Sequence, residues 1–204
     1  MRKLPALGAL AVCIGLLTGC ESLSNGAPDQ PEPEVTEAAP SPSEDPNDEF
    51  QSLRVNMVAQ SGTYFPDGVE GIEFGCSDTL VTISTVPMHA ETPQDQVEAA
   101  IRFLLDDSQY YHGSPSVTNS LTLSETLELN SVDVGRDSVD IALSGDVVVQ
   151  SQCEAHRIQA QMYGTAAATA QIEDVSITVD GTELNETLGL EPFDTSQLAN
   201  SDDS

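Results

Sequence analysis

The sequence predicts a single compact α+β domain, a mixed sheet with two helices, standing behind a disordered acidic, proline-rich tether. Three observations carry that expectation. Short stretches with the two-residue period of half-buried strands are interleaved with two longer stretches of helical period. The strands cluster around hairpin signals instead of alternating strictly with helices, the pattern of an α+β unit and not of a doubly wound sheet. The first fifty residues, by contrast, carry neither period.

Composition sets outer bounds. Of 204 residues, 34 are acidic and 6 are Lys or Arg, for a net charge of −28. Clustered cations that could neutralise phosphates are missing, since Arg2-Lys3 is the only adjacent basic pair, and nucleic acid is excluded as a partner. The chain has no Trp, 5 Phe and 4 Tyr, so its core must be built from aliphatic side chains.

At the N-terminus, Arg2 and Lys3 precede a nearly uncharged apolar run from Leu4 to Leu17, too short to remain as a membrane span and built as a signal peptide over residues 1–19. It ends in Leu17-Thr18-Gly19-Cys20, which resembles the lipobox of bacterial lipoproteins: a branched residue, two small ones, then the cysteine whose thiol takes the lipid. That resemblance implies a diacylglyceryl group on Cys20 and a further acyl chain such as palmitate on its amine, enough for stable anchoring at the extracytoplasmic face of the cell membrane. Cleavage there leaves Arg54, Arg102, Arg136 and Arg157 as the only cationic side chains apart from histidine, and no lysine. Residues 20–49 then hold Pro28, Pro31, Pro33, Pro40, Pro42 and Pro46 with nine acids between Glu21 and Glu49. Such a segment is expected to be disordered, with a reach of about 30 Å, and to hold the domain off an anionic surface.

The domain is expected over residues 50–192. Leu53 to Ala59 alternates as a strand, and Leu80 to Val86 reads as a second, ended by Pro87. Thr92-Pro93-Gln94-Asp95 supplies an N-cap, a proline at the first helical position and an acid at the third. Val97, Ala100, Ile101, Leu104 and Leu105 then form one apolar stripe. Thr126 to Val134 and Ser138 to Leu143 make a hairpin about Gly135-Arg136-Asp137. Ser151-Gln152-Cys153-Glu154 has the capping-box pattern and opens a second helix, with Ala155, Ile158, Met162 and Ala166 on one face. Val175 to Val179 is the last strand, closed by Asp180-Gly181, and residues 193–204 are expected to be a disordered tail.

In order and spacing these pieces resemble the GerMN domain, the sporulation and spore-germination module of secreted and lipid-anchored bacterial proteins. The resemblance rests on Leu80-Val81-Thr82-Ile83, Val86-Pro87, Thr92-Pro93 leading into Ala99 to Leu105, Val139 to Gly145, Ala160-Gln161 with Thr165, and Val175 to Gly181, within about residues 74–189. The sequence departs from the family pattern at Asp106-Asp107, where Gly-Pro is common, and at Ile172-Glu173-Asp174, where Phe-Pro is usual; both are expected in loops. The resemblance implies a compact α+β unit related to ring-building envelope modules, used for assembly or binding without established catalytic residues. It also implies a source among high-GC Gram-positive bacteria.

Cys13 leaves with the signal peptide and Cys20 is taken by lipid, so Cys76 and Cys153 remain, and two thiols in an oxidising exterior are expected to pair as a disulfide. Subfamilies that this chain resembles carry cysteines at both places. A redox or metal pair is the alternative; neither cysteine belongs to a C-x-x-C. His89, His112 and His156 lack metal-ligand spacing, and Asp133, Asp137 and Asp140 do not form a calcium loop, so no metal or cofactor is expected. G-x-S-x-G and S-x-x-K are absent and no catalytic residue is nominated. Tyr110, Tyr111 and His112 form the one aromatic candidate for a binding surface, against the plainer account that they pack over the end of the first helix. The expected function is a non-catalytic, membrane-anchored module that docks an extracytoplasmic protein or a cell-wall component. The alternative is a small solute-binding or wall-modifying enzyme lipoprotein, for which about 140 folded residues is short of a two-lobed architecture.

Overall fold

A computed structural model describes residues 50–113 and 115–196. Cys20, where lipidation is expected, and the expected signal peptide and tether lie outside the described residues. In chain order the elements are β1 (Phe50–Gln51), β2 (Arg54–Ala59), β3 (Ile72–Phe74), β4 (Asp78–Ser84), β5 (Met88–His89), α1 (Pro93–Asp106), β6 (Tyr111–His112), β7 (Val117–Thr118), β8 (Glu128–Val134), β9 (Ser138–Ser144), α2 (Gln152–Ala170), β10 (Asp174–Val179), β11 (Thr182–Glu183) and α3 (Leu184–Leu188).

The fold is α+β, but its strands form two main sheets where one mixed sheet was expected. One has the order β3-β4-β2-β7-β6 and is antiparallel throughout; the other has the order β11-β10-β9-β8, with β9 and β10 parallel and the remaining pairs antiparallel. A small β1-β5 pair stands apart. The parallel pair needs a long crossover, and α2 is that crossover. Strand periodicity shows which face is buried and not which neighbour is paired, so the division into sheets could not be read from it. The expected second strand is displaced two residues towards the N-terminus, because Asp78 is drawn inside by partners described below.

α1 forms as its sequence dictates. Thr92 accepts a hydrogen bond from Asp95 N, and the Asp95 carboxylate accepts from Thr92 N, closing a complete capping box in front of Pro93. Its stripe Val97, Ala100, Ile101 and Leu104 is wholly buried against β8 and α2. Asp106 is the last helical residue and Asp107 the C-cap, so the first departure from the family pattern falls at a helix end. No glycine terminates this helix; the Asn119 side-chain amide donates to Leu104 O at 2.8 Å and to Asp107 O at 3.1 Å instead. At the start of α2 only half of the expected capping box exists. Ser151 Oγ accepts from Glu154 N, while the Glu154 carboxylate accepts from Gln150 N, one residue upstream of the N-cap.

α2 is buried almost all round. Beyond the expected face of Ala155, Ile158, Met162 and Ala166, its Gln159, Gln161, Gly164 and Thr165 are also buried, because the helix packs on β2 and β4 of one sheet, on β9 and β10 of the other, and on α1. A ridge at every fourth residue fastens it to the five-stranded sheet and its loops. Cys153 is disulfide-bonded to Cys76, with Cα atoms 5.7 Å apart. Arg157 Nε donates to Asp78 Oδ2 at 2.6 Å, and Ser61 N donates to the other carboxylate oxygen. Gln161 Oε1 accepts from Ser120 N at 2.9 Å and its Nε2 donates to Asn119 Oδ1. Thr165 Oγ1 accepts from Asn56 N at 2.9 Å, and Thr169 Oγ1 donates to Arg54 O at 2.8 Å. β7 pairs with β2 only at Val58, so the edge of β2 at Asn56 and Arg54 is completed by helix hydroxyls where a strand would otherwise stand.

Gly164 makes this approach possible: a Cβ there would lie 2.7 Å from Leu80 Cδ2 and 2.8 Å from Asn56 Nδ2. Gly145, at φ +104, closes β9 with no room for a Cβ, which would sit 2.0 Å from Thr126 O. The core joins Val55, Met57 and Val81 of one sheet to Val139, Ile141, Leu143 and Ile177 of the other through Ile158 and Met162.

The chain remains packed past residue 192, where the disordered tail was expected to begin. Phe193 stacks at 6.0 Å on Tyr163, and the Thr195 hydroxyl, buried, donates to Glu173 O. A polar sequence at a terminus reads as frayed, and one aromatic with one satisfied hydroxyl is enough to extend the order here.

Three outcomes follow from this architecture. Thr165→Val leaves the buried Asn56 N–H without its acceptor and should lower stability by about 1–3 kcal/mol, while Thr165→Ser recovers most of it, both read by chemical denaturation. Reduction of Cys76–Cys153, which are separated by 77 residues, releases an unfolded-state constraint of about 4–5 kcal/mol on the chain-entropy scale and should lower the melting temperature markedly. An unchanged melting curve would refute the staple. The Thr92 hydroxyl, and then its backbone N–H, hold the Asp95 carboxyl below its ordinary 3.8. The depressed value means that the cap's charge-dependent share of stability is present above that pH and is lost as pH falls through the folded value, so a carboxyl-carbon NMR titration should place the Asp95 midpoint below 3.8.

Candidate functional site

Tyr110, Tyr111 and His112 come together at the free edge of the five-stranded sheet, where Tyr111 and His112 are β6. The two rings meet edge to face with centroids 4.7 Å apart. Tyr110 Oη accepts from Gln60 Nε2 at 2.6 Å. His112 Nε2 lies 2.7 Å from Asp107 Oδ2 and 2.8 Å from Gln109 O, so the imidazole is tied to the C-cap of α1. Tyr111 alone projects, 58% exposed. The cluster therefore closes the end of the first helix and leaves one exposed ring, less a surface than a corner. Among the described residues no group of three or more His, Cys, Asp or Glu is placed to hold a metal ion.

A more developed concavity lies elsewhere. Register places Val58, Leu80 and Ile72 in one cross-strand row, with Asn56 opposite Thr82 and Arg54 opposite Ser84 in the rows beside it. α2 lies against the edge of β2 and covers Val58 and Leu80 at Ala160 and Gly164, so this face stays open only at Ile72 and Thr82. A cleft of about 370 Å³ has Leu80, Ile72, Asn56, Thr82 and Arg54 on its floor, Ala167, Ala168 and Gln171 of α2 on one side, and Glu70, Glu173 and Thr195 at its rim. It meets, at Ile72 and Leu80, a second cleft of about 470 Å³ lined by Phe74, His156, Gln159 and the segment Gly189–Asp194. That segment is held over the helix by Gln159, whose Nε2 donates to Glu191 O and to Asn185 Oδ1.

Asn56 is the most constrained polar group of the floor. It is 2% exposed; its N–H is bonded to Thr165 and its Oδ1 accepts from Thr82 Oγ1 at 2.7 Å, which turns Nδ2 away from the pair. Nδ2 makes no hydrogen bond among the described residues. Beneath the second cleft, Tyr163 backs Phe193, and its hydroxyl is pushed up to about 12, first by burial and then by the charge of Glu183, so it stays protonated. Asn185 and the Ile177 backbone are the polar groups beside its oxygen, and they oppose that rise without closing a well-aligned hydrogen bond. Sequence reasoning missed this region. A polar residue alternating with apolar ones in a strand reads as solvent-facing, and Asn56 and Thr82 gave no other signal.

No helix among the described residues is long and apolar enough to cross a membrane. No curated protein sequence matches the chain. Among solved structures, the tandem GerMN domains of the sporulation protein GerM from Bacillus subtilis are 15% identical with a TM-score of 0.42; the match covers 72% of this chain and 43% of that one, so the chain spans less than half of the tandem. A candidate lipoprotein from Clostridium perfringens is 18% identical with a TM-score of 0.35, covering 64% of this chain and 76% of the other. The sequence matches the Germane family, described as sporulation and spore germination, over residues 62–185, and the chain belongs to that family of GerMN-domain proteins.

Proposed function

We propose that this chain is a lipid-anchored protein of the extracytoplasmic membrane face, whose GerMN domain is a non-catalytic docking module for another envelope protein or a cell-wall component. The observation that carries the reading is the open cleft on the five-stranded sheet, whose lining includes the buried Asn56 with its Nδ2 left unbonded among the described residues. The lipobox-like Leu17 to Cys20 and the acidic tether support placement at a membrane with the domain held away from it. The exposed Tyr111 corner, at the far edge of the same sheet, is a second, smaller contact point.

Cys20→Ala should move the protein from the membrane to the soluble fraction and abolish metabolic labelling with palmitate; retention of either would sink the anchor. Docking is tested by mild crosslinking in intact envelopes and mass spectrometry, against an anchor-and-tether control lacking residues 50–192. A reproducible partner captured only with the domain is the expected result. Recovery of neither protein nor wall polymer, with hydrolysis of peptidoglycan fragments by the purified chain, would overturn it in favour of an enzyme.

A further inference from the structure

We propose that the cleft beside α2 takes an extended peptide segment carrying a lysine or arginine, contributed by a protein other than this chain. The inference rests on the docking reading above and narrows it to one chemistry. Its first support is the orientation of Asn56. With N–H and Oδ1 both committed inside, the side-chain Nδ2 is a donor without a partner, in a residue 98% removed from solvent that lines the cleft. A main-chain carbonyl is the acceptor that an extended peptide presents at such a point.

The second support is charge. Glu70 and Glu173 stand exposed in the lining of the first cleft, and Glu191 and Asp194 add two carboxylates to the lining of the second. Arg54 and His156 are the basic residues of the linings, so the field over the cleft is negative. Beneath it, Ile72, Leu80 and Phe74 offer an apolar floor that suits the methylene stem of a long cationic side chain, with its charged head reaching the rim. The two volumes lie in the range of ligand sites that bury several groups at once.

Composition excludes the chain's own segments as the preferred occupant. The tether carries nine acids between Glu21 and Glu49, residues 197–204 add Asp202 and Asp203, and no lysine follows Lys3. Each would bring like charge to Glu70 and Glu173. A second copy without residues 1–19 brings 34 acids against only 4 arginines, a net charge of −30, and of those arginines Arg102 and Arg157 are already ion-paired.

The test uses the full chain and a dye-labelled nonapeptide of Ala-Lys-Val repeated three times, with its Ala-Glu-Val counterpart as control, read by fluorescence anisotropy. Saturable binding of the lysine peptide alone is expected. Glu70→Gln with Glu173→Gln should weaken it by about tenfold, the equivalent of losing part of two charge-assisted contacts. Asp133→Asn with Asp140→Asn, on the other sheet, should change it by less than about twofold, since only net charge is altered. In the nitrogen-15 spectrum the side-chain amide of Asn56, identified by its loss in Asn56→Ala, should shift on titration. Equal weakening by both acid pairs would reduce the effect to bulk charge and overturn the proposal, as would saturation without a shift at Asn56, no binding, or self-association that Glu70→Gln with Glu173→Gln removes. If the envelope crosslinking still captures a partner equally well with the Glu70→Gln and Glu173→Gln chain, docking stands and the cleft assignment alone fails.

Discussion

The structure depends on one polar ridge along α2. Cys153, Arg157, Gln161, Thr165 and Thr169 recur at every fourth residue, and each is bonded to the five-stranded sheet or to the loops that leave it. The match is geometric. Four residues of helix advance about 6 Å and two residues of strand about 6.8 Å, so a helix laid beside a strand can meet every second backbone group of the strand's open side. Thr165 meets Asn56 and Thr169 meets Arg54, two residues apart on β2, and the helix runs antiparallel to the strand as β4 does. Gln161 falls where β7 already covers Val58 and turns to the Ser120 N–H just beyond that strand. Each bond contributes only about 1 kcal/mol net, yet leaving one of its buried groups without a partner costs more, so the ridge selects one register of helix on sheet.

This placement also produces the cleft. A helix usually spreads its apolar stripe over neighbouring elements, and α1 does so, burying Val97, Ala100, Ile101 and Leu104 against β8 and α2. α2 instead stands at the edge of β2, approaching so closely at Gly164 that no larger residue fits without displacement of Leu80 or Asn56. Val58, Leu80 and Asn56 are then covered by α2 at Ala160 and Gly164, while Ile72 and Thr82, farther from the helix, stay open to the cleft. Concavity and the all-round burial of α2 have one cause, the substitution of a helix for a strand.

The sequence makes some of this legible and hides the rest for identifiable reasons. α1 is readable because its cap and its stripe are local, and β8-β9 because the hairpin is. The Cys76–Cys153 bond is readable because the expected loss of Cys13 with a leader and of Cys20 to lipid leaves two thiols to pair. α2 is only half readable: Ala155, Ile158, Met162 and Ala166 announce a helix, but Gln161 and Thr165 look like a solvent face and are fully buried. Their partners lie 41 and 109 residues away, which no periodicity can signal. The two-residue strands β1, β5, β6, β7 and β11 are too short to carry a period at all. Tyr110 to His112 could be seen as a cluster, while its attachment to Asp107 required the end of α1 to be in place.

At the N-terminal end of the ridge two devices hold the same place by different physics. Cys153 and Arg157 lie one turn apart on α2, and their partners Cys76 and Asp78 lie two residues apart at the entry to β4. Asp78 is fully buried, and an ion pair in such a setting costs desolvation that its attraction only partly offsets. Its contribution is therefore to position more than to stabilise: a buried carboxylate that accepts from Arg157 and Ser61 tolerates few other arrangements. The disulfide acts chiefly on the unfolded chain, closing a long loop whatever the local packing. One device limits how far the chain can open and the other determines how it closes, and both are spent at the point from which the remaining ridge contacts, Gln161 to Thr169, run along β2 in order.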